Sequence, residues 1–341
     1  MFKKSFFSIL LILGLFFALL FFSACSSSRH SPILDTELGG FVGGINGLNA
    51  NVMDGAPPSV IQDAGLTPFS IVVSLENAGE AEVGPGTDNP LVFVRLAGIM
   101  YKNFGLTESS AAKTLDSRLE PAKRTFEGTV IPGEINYVSF DNLAYRPNIF
   151  ESITLTIRAE VCYDYESYAT TKFCMKRDVL EAWEDASICT LKGFKPVGNS
   201  GGPLHVTSVE EAPINNKTVQ INFVIEHLGN GVFFYRNQPQ DLFDACVFDD
   251  MNPHIYKLDV FVEPIQKNTY DVECLRLENE LSGGGAYGTI RMFRGAPLTM
   301  SCFLTRTKPM NVRVYQDLLN IKLKYRYGEF IEIPILIQGH P

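Results

Sequence analysis

The sequence predicts an all-β protein, two tandem β-sandwich domains behind an N-terminal apolar segment. Three observations predict it. From residue 47 onward the chain is mostly short alternating runs punctuated by Gly, Pro, Asn and Asp, the spacing of strands and turns in sandwiches. The pattern breaks at Lys195–Gly202 and then restarts. Two segments of the first set match two of the second, in the same order.

The 341 residues are ordinary globular composition, 45% hydrophobic and 20% charged, which excludes wholesale disorder. Lys+Arg 29 against Asp+Glu 38 gives a net charge of −9. No basic stripe is present, so a nucleic-acid partner is not expected.

Residues 1–25 read as an export signal or anchor. Lys3 and Lys4 precede the apolar run Phe6–Phe22, followed by Ser23, Ala24 and Cys25. Small residues before a cysteine, directly after an apolar run, resemble a lipoprotein lipobox. That resemblance implies a diacylglyceryl group on Cys25, which becomes the first residue of the mature chain. An uncleaved anchor helix and plain cleavage with release are the alternatives. All three put the folded part outside the cytoplasm. Residues 26–46 are rich in Ser and Gly and read as a flexible tether.

The first domain is expected over residues 47–194. Its strands are Leu48–Met53, Pro68–Glu76, Leu91–Ala97, Tyr137–Phe140, Ile153–Tyr163 and Ala169–Met175. The last two read as a hairpin turning near Glu166-Ser167, with Tyr163, Tyr165 and Tyr168 clustered there. Thr107–Leu119 reads as a short helix or a loop insertion. Asp178–Ala186 reads as a helix N-capped by Asp178, with Val179, Leu180, Ala182 and Trp183 on one face.

The second domain is expected over residues 203–341. Its strands are Leu204–Val209, Thr218–Glu226, Ile255–Val262, Thr289–Phe293, Leu298–Leu304, Leu319–Tyr327 and Phe330–Ile337. Pro334 marks an edge or a bulge in the last of them. Ile71–Gly79 can be laid on Ile221–Gly229, and Leu155–Tyr163 on Leu319–Tyr327. Together these matches favour a duplicated unit. Gly79 and Gly229 follow a strand where a sharp turn with positive φ is expected.

Six cysteines remain after Cys25, an even number that reads as disulfides in an exported chain. No C-x-x-C occurs, so zinc and thioredoxin-type patterns are absent. Alternation puts Cys162 on the outer face with Arg158 and Glu160. In the expected hairpin Cys174 also faces outward, diagonal to Cys162 and too far for a bridge. This favours Cys174–Cys189, Cys274–Cys302 and Cys162–Cys246, the last tying the halves together. Cys162–Cys174 in another register stays open.

The stretch Phe69–Gly79 has the form F-x-I-x-V-x-L-x-N-x-G. It resembles the opening strands of CARDB-type and related immunoglobulin-like domains of prokaryotic surface proteins. Gly55–Pro58, Val161–Tyr165 with its downstream cysteines, and Gly201–Val209 resemble a group of exported archaeal proteins with tandem domains of this kind. In the second copy His227-Leu228 replaces the Asn-x of the pattern. The resemblance implies an all-β fold of two tandem immunoglobulin-like sandwiches after a signal or anchor helix. It also implies a surface location and no catalytic residues.

Chemistry-bearing motifs are few. There is no G-x-S-x-G, H-E-x-x-H or P-loop. Ser282–Gly285 reads as a hairpin loop. Asp241, Asp244, Asp249 and Asp250 surround Cys246 but lack a calcium-loop register and read as a solvated acidic loop. His205, His227 and His254 are too separated for a shared metal site, so no metal and no cofactor are expected. Asn216-Lys217-Thr218 is a glycosylation sequon in a turn, with Asn216 the acceptor.

These readings lead to a non-enzymatic cell-surface protein, tethered to the outer face of the cytoplasmic membrane by its N-terminal lipid or helix. Its expected partners are envelope proteins or a second copy. The alternative is a solute- or carbohydrate-binding lipoprotein with an aromatic-lined pocket near residues 190–205. A third reading, an exported hydrolase, requires several acids converging in a cleft.

Overall fold

A computed structural model describes residues 38, 40–182, 187–236, 245–249, 251–281 and 283–339. The first-half strands are β1 (Leu48–Val52), β2 (Val60–Gln62), β3 (Phe69–Asn77), β4 (Val92–Ala97), β5 (Ala112–Thr114), β6 (Lys123–Arg124), β7 (Val130–Ile131), β8 (Ile135–Leu143) and β9 (Ile153–Lys176). Two short strands, β10 (Gly193–Lys195) and β11 (Val197–Asn199), occupy the expected break between domains. The second half has β12 (Leu204–Pro213), β13 (Thr218–His227), β14 (Val232–Phe234), β15 (Lys257–Pro264), β16 (Tyr270–Cys274), β17 (Glu278–Leu281), β18 (Ala286–Arg291), β19 (Leu298–Arg306) and β20 (Val314–Gln338).

Leu38–Pro341 is one compact unit by its contacts. The reason lies in β9 and β20. Each was expected as two strands with a turn between, and each is continuous. They pair antiparallel over their length, from Ile153 against Ile337 to Lys176 against Val314. At about 3.4 Å per residue the 24-residue β9 spans roughly 80 Å. Glu166-Ser167 contains no Gly, Pro, Asn or Asp, and both residues take up the ladder opposite Lys324 and Leu323. In β20 the break was expected at Gly328, which instead permits a close approach. A Cβ there would lie 2.9 Å from the Phe248 ring and 3.1 Å from Cys246 Sγ.

The long pair is the spine of a ten-stranded sheet that runs β17-β18-β15-β20-β9-β4-β5, with β2, β11 and β14 on its margins. A three-stranded sheet, β1-β3-β8, and a five-stranded sheet, β10-β12-β13-β19-β16, supply the other layer. The alternating residues Ile157, Ala159, Val161, Tyr163 and Tyr165 of β9 share one core with Leu319, Ile321, Leu323, Tyr325 and Tyr327 of β20. The same core takes in Ile71, Val73 and Leu75 of β3 and Ile221, Phe223 and Ile225 of β13. One face of the long sheet therefore carries both smaller sheets, in a sandwich-like arrangement.

The duplication is visible in the pairing. β1-β3-β8 corresponds to β12-β13-β19, and β5-β4-β9 to β18-β15-β20. Hydroxyl contacts fix the equivalence. Leu48 N–H donates to Tyr163 Oη at the start of β1, and Tyr325 Oη sits against Gly202 just before β12, 3.3 Å from where a Cβ there would lie. Ala81 N–H donates to Tyr165 Oη as Gly231 N–H does to Tyr327 Oη. Tyr163 is thus the twin of Tyr325, not of Tyr327 as the sequence match had it. Alternating strands align equally well after a shift of one side-chain period.

Gly79 and Gly229 do not have positive φ. Their constraint is space: an added Cβ would lie 1.9 Å from Tyr165 Oη at Gly79 and 2.3 Å from Tyr327 Oη at Gly229.

Other local expectations change too. Residues 178–182 form bends and a turn, with Asp178 Oδ1 accepting from Leu180 N–H. The Asx turn competes with the helix that an N-cap would start. Trp183 lies outside the described residues. Thr107–Leu119 holds a 3-10 turn at Ser109–Ala111 followed by β5. The described part of the expected tether is docked: Val42 and Gly43 N–H groups donate to the Glu80 carboxylate, and Arg124 donates to the Phe41 and Val42 carbonyls. Pro334 pairs with Thr156 on one side, and β2 joins the other side only from Leu336.

Candidate functional site

Cys25 lies outside the described residues. The six remaining cysteines are joined as Cys162–Cys246, Cys174–Cys189 and Cys274–Cys302. Cys274 and Cys302 face each other directly across β16 and β19. Cys162 sits on the outer face of the long sheet, opposite the main core. There Cys246, Ala245, Phe234 and Ile255 fold over Leu91 and Phe93 as a small second core. The Cys162–Cys246 bridge pins that cover. It closes a separation of 84 residues, worth about 4.5 kcal/mol of unfolded-state entropy.

Under the cover the outer face is charged. Arg326 of β20 is fully buried and donates to Asp164 of β9 at 2.9 Å. The two are directly opposed in the ladder and are twins by the tyrosine equivalence. Arg236 approaches Asp164 at 3.7 Å and donates to Asn89 Oδ1. On one side Glu160 takes Arg95 and Arg158, each at 2.5 Å. On the other Lys324 lies 3.4 Å from Glu166, which also accepts from Tyr168 Oη. Asp259 accepts from Thr289 Oγ1. Burial pushes the carboxyls of Asp164 and Asp259 up, against the pull of Arg326 on Asp164 and the Thr289 bond on Asp259. Buried charges survive because each has a counter-charge or donor at bonding distance.

Beyond Glu166 this face opens into a groove of about 290 Å³. Tyr168, Thr170, Asn320, Lys322, Phe261 and Phe41 line it. Phe261 stacks on Tyr287 at 4.4 Å, and the Lys322 ammonium lies over the Phe261 ring, 4.8 Å from its centre. Strand β11 bounds this end, pairing with Ala169–Thr171. The amide, hydroxyl and ammonium groups beside these rings can hydrogen-bond the rim of a polar ligand. A more apolar cavity of about 500 Å³ lies at Met100, Tyr101 and Leu106.

The expected tyrosine cluster divides. Tyr163 and Tyr165 are buried in the main core, whereas Tyr168 stands on the outer face. The histidines stay apart: His205 meets Gly44 O, His227 meets Tyr327 Oη, and His254 stacks on Tyr235. Burial lowers the pKa of all three. Among the described residues no group of three His, Cys, Asp or Glu is placed to hold a metal ion. Asp249 Oδ1 accepts from Met251 N–H in a local turn, while Asp241, Asp244 and Asp250 lie outside the described residues. Gly283–Gly285 belongs to the loop between β17 and β18, and Ser282 lies outside the described residues. Asn216 is exposed in the β12–β13 turn, but the Thr218 hydroxyl of its sequon is engaged with Thr305. Among the described residues no helix is long and apolar enough to cross a membrane.

Sequence reasoning missed the charged outer face. The signal was present: Asp164 and Glu166 alternate with tyrosines, and Lys322, Lys324 and Arg326 alternate with Leu323, Tyr325 and Tyr327. Without the long pairing nothing set one row against the other.

No family model matches this chain, and no curated protein matches it. Among solved structures, it is similar to BuGH86 in complex with neoagarooctaose at 8% identity and a TM-score of 0.13. That match covers 81% of this chain and 34% of the other, so the chain spans about a third of that protein. It is also similar, at 9% identity and a TM-score of 0.16, to a structure described as manganese lipoxygenase of Gaeumannomyces graminis with partial zonadhesin of Komagataella pastoris. That match covers 84% of this chain and 95% of the other. Likeness at these scores bears on neither fold nor function.

Proposed function

We propose that this chain is a non-enzymatic surface protein of a prokaryotic cell. In this reading Cys25 or an uncleaved helix holds it on the outer face of the cytoplasmic membrane. Its two halves act as tandem immunoglobulin-like sandwiches, akin to the CARDB-like domains of archaeal surface proteins, and bind an envelope protein or a second copy. The observation that carries it is the stapling of a duplicated all-β body by three disulfides. Such bonds fit an oxidising, extracytoplasmic compartment. Crosslinking of intact cells, with mass spectrometry of the adducts, tests it. Self-adducts or links to a major envelope protein are expected. Links confined to a transporter or an enzyme would overturn it in favour of solute delivery.

The groove favours a second reading, capture of a carbohydrate or another polar solute. It lies beside β11 and offers Tyr168 and Phe261 with Asn320 and Lys322. A glycan array with the wild type and Phe261→Ala separates the two. Saturable binding lost in the variant supports capture, and no binding leaves the partner-binding reading.

A further inference from the structure

The outer face of the long sheet is built twice, and the two copies differ at one row. In the first half Arg95 of β4 stands directly opposite Glu160 of β9. Arg95 and Arg158 both hold that carboxylate, each at 2.5 Å. By the tyrosine equivalence the twin of Glu160 is Lys322 of β20, and the twin of Arg158 is Asn320. Strand β15 places Phe261 opposite Lys322, where β4 has Arg95. The second copy therefore keeps a charge at the centre of the row and has no opposite charge beside it. Among the described residues no carboxylate lies within ion-pair distance of Lys322. Glu166 is taken by Lys324 at 3.4 Å and Glu263 by Lys267 at 2.8 Å.

Resting on the reading of the groove as a carbohydrate site, we propose that it takes an acidic sugar of the uronate type. The sugar's carboxylate completes on Lys322 the ion pair that the second copy lacks. The groups that would do this share one face. Lys322 lies between Tyr168 and Phe261 in one cross-strand row, and Asn320 lies between Thr170 and Glu263 in the next. All six line the groove of about 290 Å³. Lys322 is half-buried and Asn320 exposed, so both reach its open space.

The hydrogen-bonding pattern selects the ligand. The Lys322 ammonium rests over the Phe261 ring and keeps N–H groups to give to an anion. Asn320 Oδ1 accepts from Thr170 Oγ1 at 3.0 Å, which leaves the amide Nδ2 as a donor two residues from Lys322. Two neighbouring donors, one of them charged, suit the two oxygens of a carboxylate. Tyr168 and Thr170 spend their hydroxyl protons on Glu166 and Asn320. Their oxygens remain as acceptors for ligand hydroxyls. A carboxylate flanked by hydroxyls is the chemistry of a uronate, and a neutral sugar meets only half of this pattern.

Ligand-observed NMR titration of the full chain with galacturonate, its methyl ester, galactose and acetate tests the proposal. Galacturonate should bind saturably, about tenfold more tightly than either neutral sugar, and more weakly as salt is added. Lys322→Gln should bring galacturonate down to the level of galactose. Phe261→Glu, which puts a carboxylate of the chain's own opposite Lys322, should do the same. Thermal unfolding of both variants checks that they are folded, and the methyl ester tests the charge on the wild type alone. Acetate binding as tightly as galacturonate overturns the sugar assignment, and a preference for galacturonate that survives both substitutions overturns the role of Lys322. Galacturonate and galactose binding alike overturn the acidic class and leave the carbohydrate reading of the groove standing. Binding of no sugar overturns both.

Discussion

Tyr163 and Tyr165 do for the first half of the chain what Tyr325 and Tyr327 do for the second. Each buries a ring in the main core, and Tyr163, Tyr165 and Tyr327 accept the N–H groups of Leu48, Ala81 and Gly231 from their own halves. Gly79 and Gly229 leave room for a hydroxyl in each half. Between these shared residues the copies diverge sharply in charge. Asp164 is the twin of Arg326, and Ser167 is the twin of Glu329. What the copies share is what packs the smaller sheets onto the spine. Where they differ, the fold tolerates alternatives, and the difference needs its own reason. For Asp164 and Arg326 the reason is mutual. At the local two-fold of an antiparallel pair the twins face each other, so identical charges there would repel and opposite charges pair.

The largest expected effects concern what binds the copies together. Replacing Cys162 and Cys246 with Ala should cost about 4.5 kcal/mol, the loop-closure entropy of the bond. The same change at Cys174 and Cys189, separated by 15 residues and within one region, should cost about 3 kcal/mol. Urea unfolding of the two double variants checks the order. A larger loss for the short loop would mean that the copies are held by their shared sheet and not by the bridge.

Arg326→Met comes next, at about 3 kcal/mol, because it leaves Asp164 with only the more distant Arg236 guanidinium where almost no water reaches. Adding Asp164→Leu should recover most of that loss, since a buried pair is often no better than an apolar one. Thermal and urea unfolding of the single and double variants checks this. If the double variant is as unstable as the single, the charges set the register of β9 on β20, and stability and specificity are not separable here.

The same contrast explains how much was legible beforehand. Strands β3 and β13 could be read closely, because each alternates cleanly over a local stretch and ends at turn residues. The three disulfide pairs also agree with the alternation argument, although the hairpin behind part of it is absent. What made Cys162 and Cys174 unable to meet is that they lie on one unbroken strand, twelve positions apart. The long strands could not be read, because strand length is decided by the partner. Nothing within Ile153–Lys176 says that Val314–Gln338 will accompany it throughout. The groove was hidden for the same reason. It arises where β9, β20 and β15 lie side by side, and no local pattern encodes that.

Gly79→Ala should cost about 3 kcal/mol, at the upper end for overpacking. The new methyl meets Tyr165 Oη and also the backbone oxygen of Gly201 at 2.8 Å. Gly229→Ala should cost less, about 2 kcal/mol, because its close neighbours are the Tyr327 hydroxyl and the Pro203 ring. Tyr327→Phe should rescue Gly229→Ala more fully than Tyr165→Phe rescues Gly79→Ala, since with the hydroxyl gone the alanine at 79 still meets two backbone oxygens, Gly201 O at 2.8 Å and Asn46 O at 3.0 Å, whereas the alanine at 229 is left with the Pro203 ring. Urea midpoints of the four single and two double variants check it. Equal rescue in both copies would mean that the loops shift as rigid units.

The smallest effect separates Glu329 from its twin by pH. In the folded chain the Glu329 carboxyl is pushed up to about 7, against an ordinary value of 4.5. Between those values the folded chain holds a proton that the unfolded chain has released. The stability this contributes is present in full below about pH 4.5 and is lost as pH rises through 7. Ser167 has no such proton to lose. Glu329→Ser should therefore leave stability near pH 4.5 little changed and raise it by about 2 kcal/mol at pH 8, after allowance for partial solvent access. Unfolding free energies of both proteins at pH 4.5, 6 and 8 give the comparison. A constant difference across that range would mean that Glu329 is already ionised and paired in the free protein. A gap that opens between pH 5 and 8 would show that the Glu329 carboxyl takes up a proton on folding.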